Sequence, residues 1–338
     1  MRVPRFVGEG RIEFGEKPDP APGPGQLLVR VGANALCGSE RGQFLRGSAT
    51  TPGHEAAGTV VAAGLGTATP AGTRGAIFLM DYCGACRSCR LGHTNQCLAK
   101  RGDMGFNRDG GYGPLEVVSE STFFPTGDDV SAAEATLLLD IMGTGGHAIE
   151  RARRQREDIE SVLIAGAGPI GLGVLAMARL RLRPAVPIAI TDFVPYRLRL
   201  AESLGGLPID LNTTDLASGL RAHGLGAVDA AFDTTGRQEA RQQALAALDK
   251  RGALVCIGHG EGVCVTVSPD LIAPERAVLG SEYFRFDELP GNLALLREHR
   301  DYLGRIITHR FPVAEIQRAF DLFFQGDTGK VVIEQGYQ

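Results

Sequence analysis

Four cysteines fall in one short stretch, Cys83, Cys86, Cys89 and Cys97, with the spacing C-x2-C-x2-C-x7-C. Clustering of this kind in a reducing compartment points to a metal rather than to disulfides. Four thiolates can enclose one zinc ion tetrahedrally, and a fully ligated ion is structural, because no position is left for a substrate. An iron–sulfur cluster is the competing occupant; the lack of a Cys-Pro ending argues against it. His93 lies inside this loop and reads as a surface residue.

A second pattern is Gly166-Ala167-Gly168-Pro169-Ile170-Gly171, or G-x-G-x-x-G. It directly follows the apolar run Ser161 to Ala165 and opens a helical pattern, which is the context the motif needs. Gly166 allows the tight turn, Gly168 lets backbone approach a pyrophosphate, and Gly171 lets helix and strand pack. With Pro169 and Ile170, the helix start offers unpaired N–H groups to phosphate. The next strand ends on Asp192, an acid placed to accept ribose hydroxyls and to repel a 2′-phosphate, so NAD is favoured over NADP. Arg197 is a candidate contact on the adenine or phosphate side, or else a solvated helix residue.

The elements that must carry these motifs differ between the two parts of the chain. Gln26 to Ala33, Gly58 to Ala63 and Leu115 to Ser119 read as strands separated by Gly/Pro turns, as in a barrel-type β domain. Ser131 and Glu134 form a capping box for a helix over 132–139. Beyond it, short apolar strands (161–165, 188–191, 228–233, 253–257) alternate with helices (169–182, 195–204, 237–248), the pattern of a doubly wound parallel sheet. Two more helices and a strand over 330–334 close the chain. Cys256 and Cys264 flank the strand at 253–257 and read as inert thiols.

The chain has 338 residues, 43% hydrophobic and 22% charged, enough for two domains without disulfide support. Its net charge of −4, with no basic stripe interleaved with aromatics, excludes nucleic acid as a partner. No apolar run is long enough to span a membrane, and the first residues lack a signal-peptide core, so a cytoplasmic location is expected.

Gly53-His54-Glu55-Ala56-Ala57-Gly58, followed by Gly64, matches G-H-E-x2-G-x5-G, and Cys37-Gly38-Ser39-Glu40 lies upstream. Together with the cysteine loop and the glycine loop, this resembles the zinc-containing alcohol and polyol dehydrogenases of the medium-chain dehydrogenase/reductase superfamily. The resemblance implies an α/β protein. Residues 1–135 and 286–338 would form a GroES-like β-barrel catalytic domain carrying the zinc loop 83–97, and residues 136–285 a Rossmann NAD-binding domain. It implies a catalytic zinc held by Cys37 and His54, with Asp140 as third ligand from the stretch Asp140-Ile141-Met142-Gly143-Thr144-Gly145. Three ligands leave one position for an alcohol oxygen. Glu55 would approach the zinc when ligands exchange, Ser39 would take the alcohol proton, and Glu40 would orient His54. Lys330 would contact the cofactor pyrophosphate. Relatives end their proton relay on a histidine five residues after the cysteine, and here that position is Gly42. His147 follows Asp140 closely and reads as a buried histidine.

The expectation is therefore hydride transfer between a secondary alcohol (polyol, sugar or amino alcohol) and NAD, with two zinc ions per subunit. The partner is a small-molecule alcohol or ketone, and the resemblance implies a homodimer or homotetramer. An NADPH-linked carbonyl reductase of the same fold, and a catalytically inactive zinc- and nucleotide-binding relative, stay open.

Overall fold

The strand Gln26–Ala35 alternates from Gln26 to Ala33, with Leu27, Val29, Val31 and Ala33 buried, before Asn34 and Ala35 are buried together at its end, and it lies at the heart of the first unit of the chain. In the computed structural model, which describes residues 1–336, that unit comprises Met1–Leu139 and Arg285–Gln338, and a second comprises Asp140–Phe284. Gln26–Ala35 lies inside a seven-stranded sheet ordered Ile307–Pro312, Lys330–Glu334, Gln26–Ala35, Ala56–Ala63, Arg74–Ile77 and Phe123–Pro125. Leu115–Ser119 also pairs with it. Its inner face joins Ala56, Val60, Ile77, Met104, Val118 and Phe123 in one core cluster.

A second core of the same unit is aromatic. Phe6 stacks on Tyr112 at 6.0 Å and meets Phe320 edge-on at 5.0 Å, while Phe44 stacks on Phe320 at 5.3 Å. Each such pair adds about 0.5–1.5 kcal/mol to its burial. Phe320 comes from the helix Ile316–Gln325, whose buried residues Ile316, Ala319, Phe320 and Phe323 make one apolar stripe. That stripe brings the end of the chain back onto its beginning.

The capping box is present: Ser131 Oγ accepts from Glu134 N at 3.3 Å, and Glu134 Oε2 accepts from Ser131 N at 2.9 Å. The helix it starts is Ala132–Thr136, shorter than the pattern predicts. Ala133 packs with Ala33, Ala35 and Val332, so this helix stays with the first unit and the division falls after Leu139, not at 135. A π-helix, Asp140–Thr144, follows and gives way to the helix Gly145–Gln155. At the other crossing, Arg285 Nε donates to Gly92 O at 3.0 Å, so position 285 also belongs to the first unit.

The second unit holds six strands in the order Leu207–Asp210, Ile188–Asp192, Val162–Ala165, Val228–Asp233, Leu248–Cys256, Ala277–Gly280. Every pairing is parallel. Chain order reverses between Val162–Ala165 and Val228–Asp233, and such a switch point opens a crevice at the carboxyl ends of the strands. The strands at 207–210 and 277–280, and Ile307–Pro312 in the first unit, escape the sequence reading because they are short and only partly apolar.

Candidate active site and metal centres

Cys37 follows directly on the strand Gln26–Ala35 and Leu36, and caps the short turn Gly38–Glu40. His54 and Glu55 immediately precede the neighbouring strand Ala56–Ala63. The turn and the strand register therefore bring together residues far apart in sequence. One ligand atom from each of Cys37, His54 and Glu55 lies within 4.8 Å of the others, and all three residues are buried; Asp140, which opens the second unit, is buried as well. A thiolate, an imidazole nitrogen and carboxylate oxygens are donors that suit zinc.

Glu40 is wholly buried, and three groups hold its carboxylate. Oε1 lies 3.0 Å from His54 Nδ1, and Oε2 accepts from the Tyr112 hydroxyl at 2.7 Å and from Cys37 N at 3.4 Å. A carboxylate can only accept, so Nδ1 carries the proton and Nε2 keeps its lone pair free for a metal. Burial, then the Glu40 charge, pushes the Tyr112 phenol well above its ordinary pKa, so it stays a donor. Phe106 covers the other side of His54, with ring centroids 5.0 Å apart. Thr144, one turn along the π-helix, donates to Asp140 Oδ1 at 3.2 Å and orients that carboxylate. Ser39 is exposed.

Lys330 has a partner that the resemblance does not imply. Its ammonium is completely buried and bonds to Glu55 Oε1, so it neutralises the site glutamate. Gly42 lies against Arg46: a Cβ there would come within 2.6 Å of Arg46 Nη2, so that side chain crowds the position where a relay histidine would stand.

The cysteine loop forms a separate, half-exposed lobe. Sγ atoms of Cys83 and Cys89 lie 4.0 Å apart, as do those of Cys86 and Cys97. Tetrahedral zinc with bonds of about 2.3 Å spaces its sulfurs by about 3.8 Å, so the quartet fits that ion. N–H groups of Cys83, Cys86, Cys89 and Leu98 point at these sulfurs. Those of Cys89 and Leu98 draw the Cys86 thiol down to about 6. Burial and the neighbouring thiols push Cys89 up to about 12.

In the second unit Gly166 has a φ of 94°, and a Cβ on Gly171 would lie 1.9 Å from Gly166 O, so both positions require glycine. The helix Pro169–Arg181 starts directly from the loop, with proline at its first position. Asp192 braces the loop: Oδ2 accepts from Ala167 N at 2.8 Å, and Oδ1 accepts from the N–H groups of Phe193 and Val194. Thr234 closes the far side, its hydroxyl donating to Ala165 O at 2.9 Å. Arg197 reaches toward Gly168, its Nη1 3.9 Å from where a Cβ would stand, and its Nε is buried without a hydrogen-bond partner. A glycine turn, a helix start and an under-satisfied guanidinium beside them fit a phosphate-bearing ligand.

Two family models match the chain in succession: "Alcohol dehydrogenase GroES-like domain" over residues 23–128 and "Zinc-binding dehydrogenase" over residues 169–298. The chain belongs to the zinc-type alcohol dehydrogenases. An L-threonine 3-dehydrogenase of Saccharopolyspora erythraea is 29% identical, over 96% of this chain and 95% of its own. A putative zinc-binding dehydrogenase of Sinorhizobium meliloti, solved with NADP, is 26% identical, with a TM-score of 0.84 and 98% of each chain covered. An alcohol dehydrogenase of Escherichia coli CFT073, solved with NADH, shares the fold at 22% identity, with a TM-score of 0.87 and 99% of each chain covered. The protein is thus a medium-chain oxidoreductase with GroES-like and Rossmann parts. Among the described residues no helix is long and apolar enough to cross a membrane.

Tyr112 and Thr234 are the residues at these sites that the sequence reading misses. Neither belongs to a motif by its type, and only the fold shows that their hydroxyls meet Glu40 and the glycine-loop backbone, as it shows the bond from Thr144 to Asp140 within the stretch read for the third ligand.

Proposed function

We propose that the enzyme oxidises a secondary alcohol of a polyol, sugar or amino alcohol with NAD, reversibly, and holds two zinc ions per subunit. The observation that carries this reading is the buried group of Cys37, His54 and Glu55. Cys37, His54 and Asp140 would hold the catalytic ion, and Cys83, Cys86, Cys89 and Cys97 the structural one. When bound, zinc supplies the Lewis acidity that lowers an alcohol's pKa, and NAD supplies the hydride acceptor.

The chain's own groups prepare the site. Glu40 holds the tautomer that leaves His54 Nε2 available. Lys330 neutralises Glu55, which keeps that carboxylate as a reserve donor rather than a fixed fourth ligand. Ser39, beside Cys37 and exposed, takes the alcohol proton and passes it to water, so no histidine is needed at position 42. Gly166, Gly168, Pro169, Ile170 and Gly171 receive the pyrophosphate, Arg197 adds a cation, and Asp192 sets the preference for NAD. Among the described strands of its sheet, Ala277–Gly280 lies outermost with one open edge, which supports a homodimer or homotetramer. Among the described residues no cysteine is in a disulfide, which suits a cytoplasmic setting.

A panel of polyols, sugars and amino alcohols assayed with NAD and with NADP tests the reading. Turnover of a secondary alcohol with NAD preferred is the expected result. Equal use of both cofactors removes the role given to Asp192, and absence of turnover across the panel favours the inactive-relative reading.

A further inference from the structure

Two loops leave the carboxyl ends of the strands Val228–Asp233 and Leu248–Cys256, and a single buried ion pair ties them together. Asp233 is wholly buried, and Arg241, from the helix Gln238–Ala246, is 8% exposed. Arg241 Nε donates to Asp233 Oδ2 at 2.7 Å. Its two other nitrogens donate to main-chain carbonyls of the second loop, Nη1 to Glu261 O and Nη2 to Gly258 O. Asp233 serves the first loop with Oδ1, which accepts from Thr235 N at 2.9 Å, Thr235 Oγ1 at 2.7 Å and Gly236 N at 3.2 Å. Its own carbonyl accepts from Ile257 N and Gly258 N. The loops touch so closely that a Cβ on Gly236 would lie 2.1 Å from His259 O, and one on Gly258 would lie 2.3 Å from Gly236 N.

Burying a guanidinium and a carboxylate is a poor way to gain stability, since apolar residues of similar volume do as well or better. What the fork gives is a fixed backbone: every Arg241 nitrogen is committed, two of them to carbonyls of one loop. That loop lies on the side of the topological switch point away from Asp192. The neighbouring Thr234 joins the clamp to the glycine loop through Ala165 O and Gly166 O. A dinucleotide held at one end by Asp192 and at its middle by the glycine loop would present its other end to this side.

We propose that Arg241 is a positioning residue for the cofactor, fixing the loop Ile257–Glu261 that receives the part of the dinucleotide beyond the pyrophosphate. This rests on the NAD reading above. The test compares NADH with ADP-ribose, which lacks the nicotinamide, by titration calorimetry of the zinc-loaded enzyme and of Arg241→Met and Arg241→Lys. In Arg241→Met, NADH binding should weaken by about tenfold or more while ADP-ribose affinity stays within about twofold, since misplacing a ligand-facing loop acts locally. Arg241→Lys keeps the bond to Asp233 but not the fork and should fall between; if Arg241→Met does not fold, Arg241→Lys decides. Equal weakening of both ligands, or NADH affinity within about twofold of wild type in the variants that fold, overturns the role. Wild-type enzyme that binds neither ligand overturns the NAD reading and this role with it.

Discussion

Within the first unit, the surroundings of Cys37 and His54 and those of the four-cysteine loop are built on opposite plans. Around Cys37 and His54 the protein supplies its own order: Glu40, Tyr112 and Lys330 are all wholly buried and bonded to groups of the site. Around Cys83, Cys86, Cys89 and Cys97, all half-exposed, the sulfurs are met by backbone N–H groups and by one another. On the proposed reading the first centre is preorganised by the fold, and the second would rely on its cation for order. A centre that keeps a position open for substrate needs ligands that stay in place between turnovers, whereas a closed site can rely on the ion itself.

That contrast predicts different losses. The largest is in catalysis: Cys37→Ser should lower kcat/KM by more than about a hundredfold, beyond what loss of an outer-shell partner does, with little change in Tm. Full turnover by that variant would remove Cys37 from the ligand set. The next is in stability. Cys86→Ser should lower Tm by about 4 °C or more, since each kcal/mol moves a chain of this size by about 2–4 °C. Arg87 and Arg90, exposed in the lobe, should then become trypsin sites. An unchanged Tm and digestion pattern would mean that the lobe holds its shape without the ion.

Smaller effects sharpen the comparison. Tyr112→Phe removes one hydrogen bond to Glu40, worth about 1 kcal/mol, and should weaken zinc retention against a chelator several-fold at the first centre only. Equal retention at both centres would separate Tyr112 from metal holding. The smallest effect lies away from both metals. Glu116 is buried with neither oxygen hydrogen-bonded, and burial, then Asp109, raises its pKa well above the ordinary value. Its folded pKa exceeds its unfolded one, so the native state keeps a proton that the unfolded chain loses. Stability therefore falls as pH rises above the unfolded value, by up to about 1.4 kcal/mol per pH unit, until the folded pKa is passed. Glu116→Gln should remove that slope, so its gain in Tm is greater at pH 8 than at pH 5. A gain independent of pH would place the ionisation elsewhere.

Different parts of the molecule were legible in the sequence to different degrees, for physical reasons. The glycine loop and the four-cysteine lobe are local: backbone freedom and ligand spacing are written in consecutive residues. So are strands that alternate or run continuously apolar, such as Gln26–Ala35 and Val228–Asp233. The short outer strands are not, because sheet position and not apolar content makes them strands. The partners of the catalytic residues were hidden for the same reason. Tyr112 reaches Glu40 across 72 residues and Lys330 reaches Glu55 across 275, contacts that only the packed fold creates. The resemblance singled out Lys330, while its bond to Glu55 had to be seen in the fold.

Zinc counting tests the central claim most directly. The purified enzyme should carry two zinc ions per subunit by elemental analysis, with one left in Cys37→Ser, the remaining ion being the one lost in Cys86→Ser. A single ion in the wild-type protein, or two still present in Cys37→Ser, would contradict the account of one preorganised and one ion-organised centre.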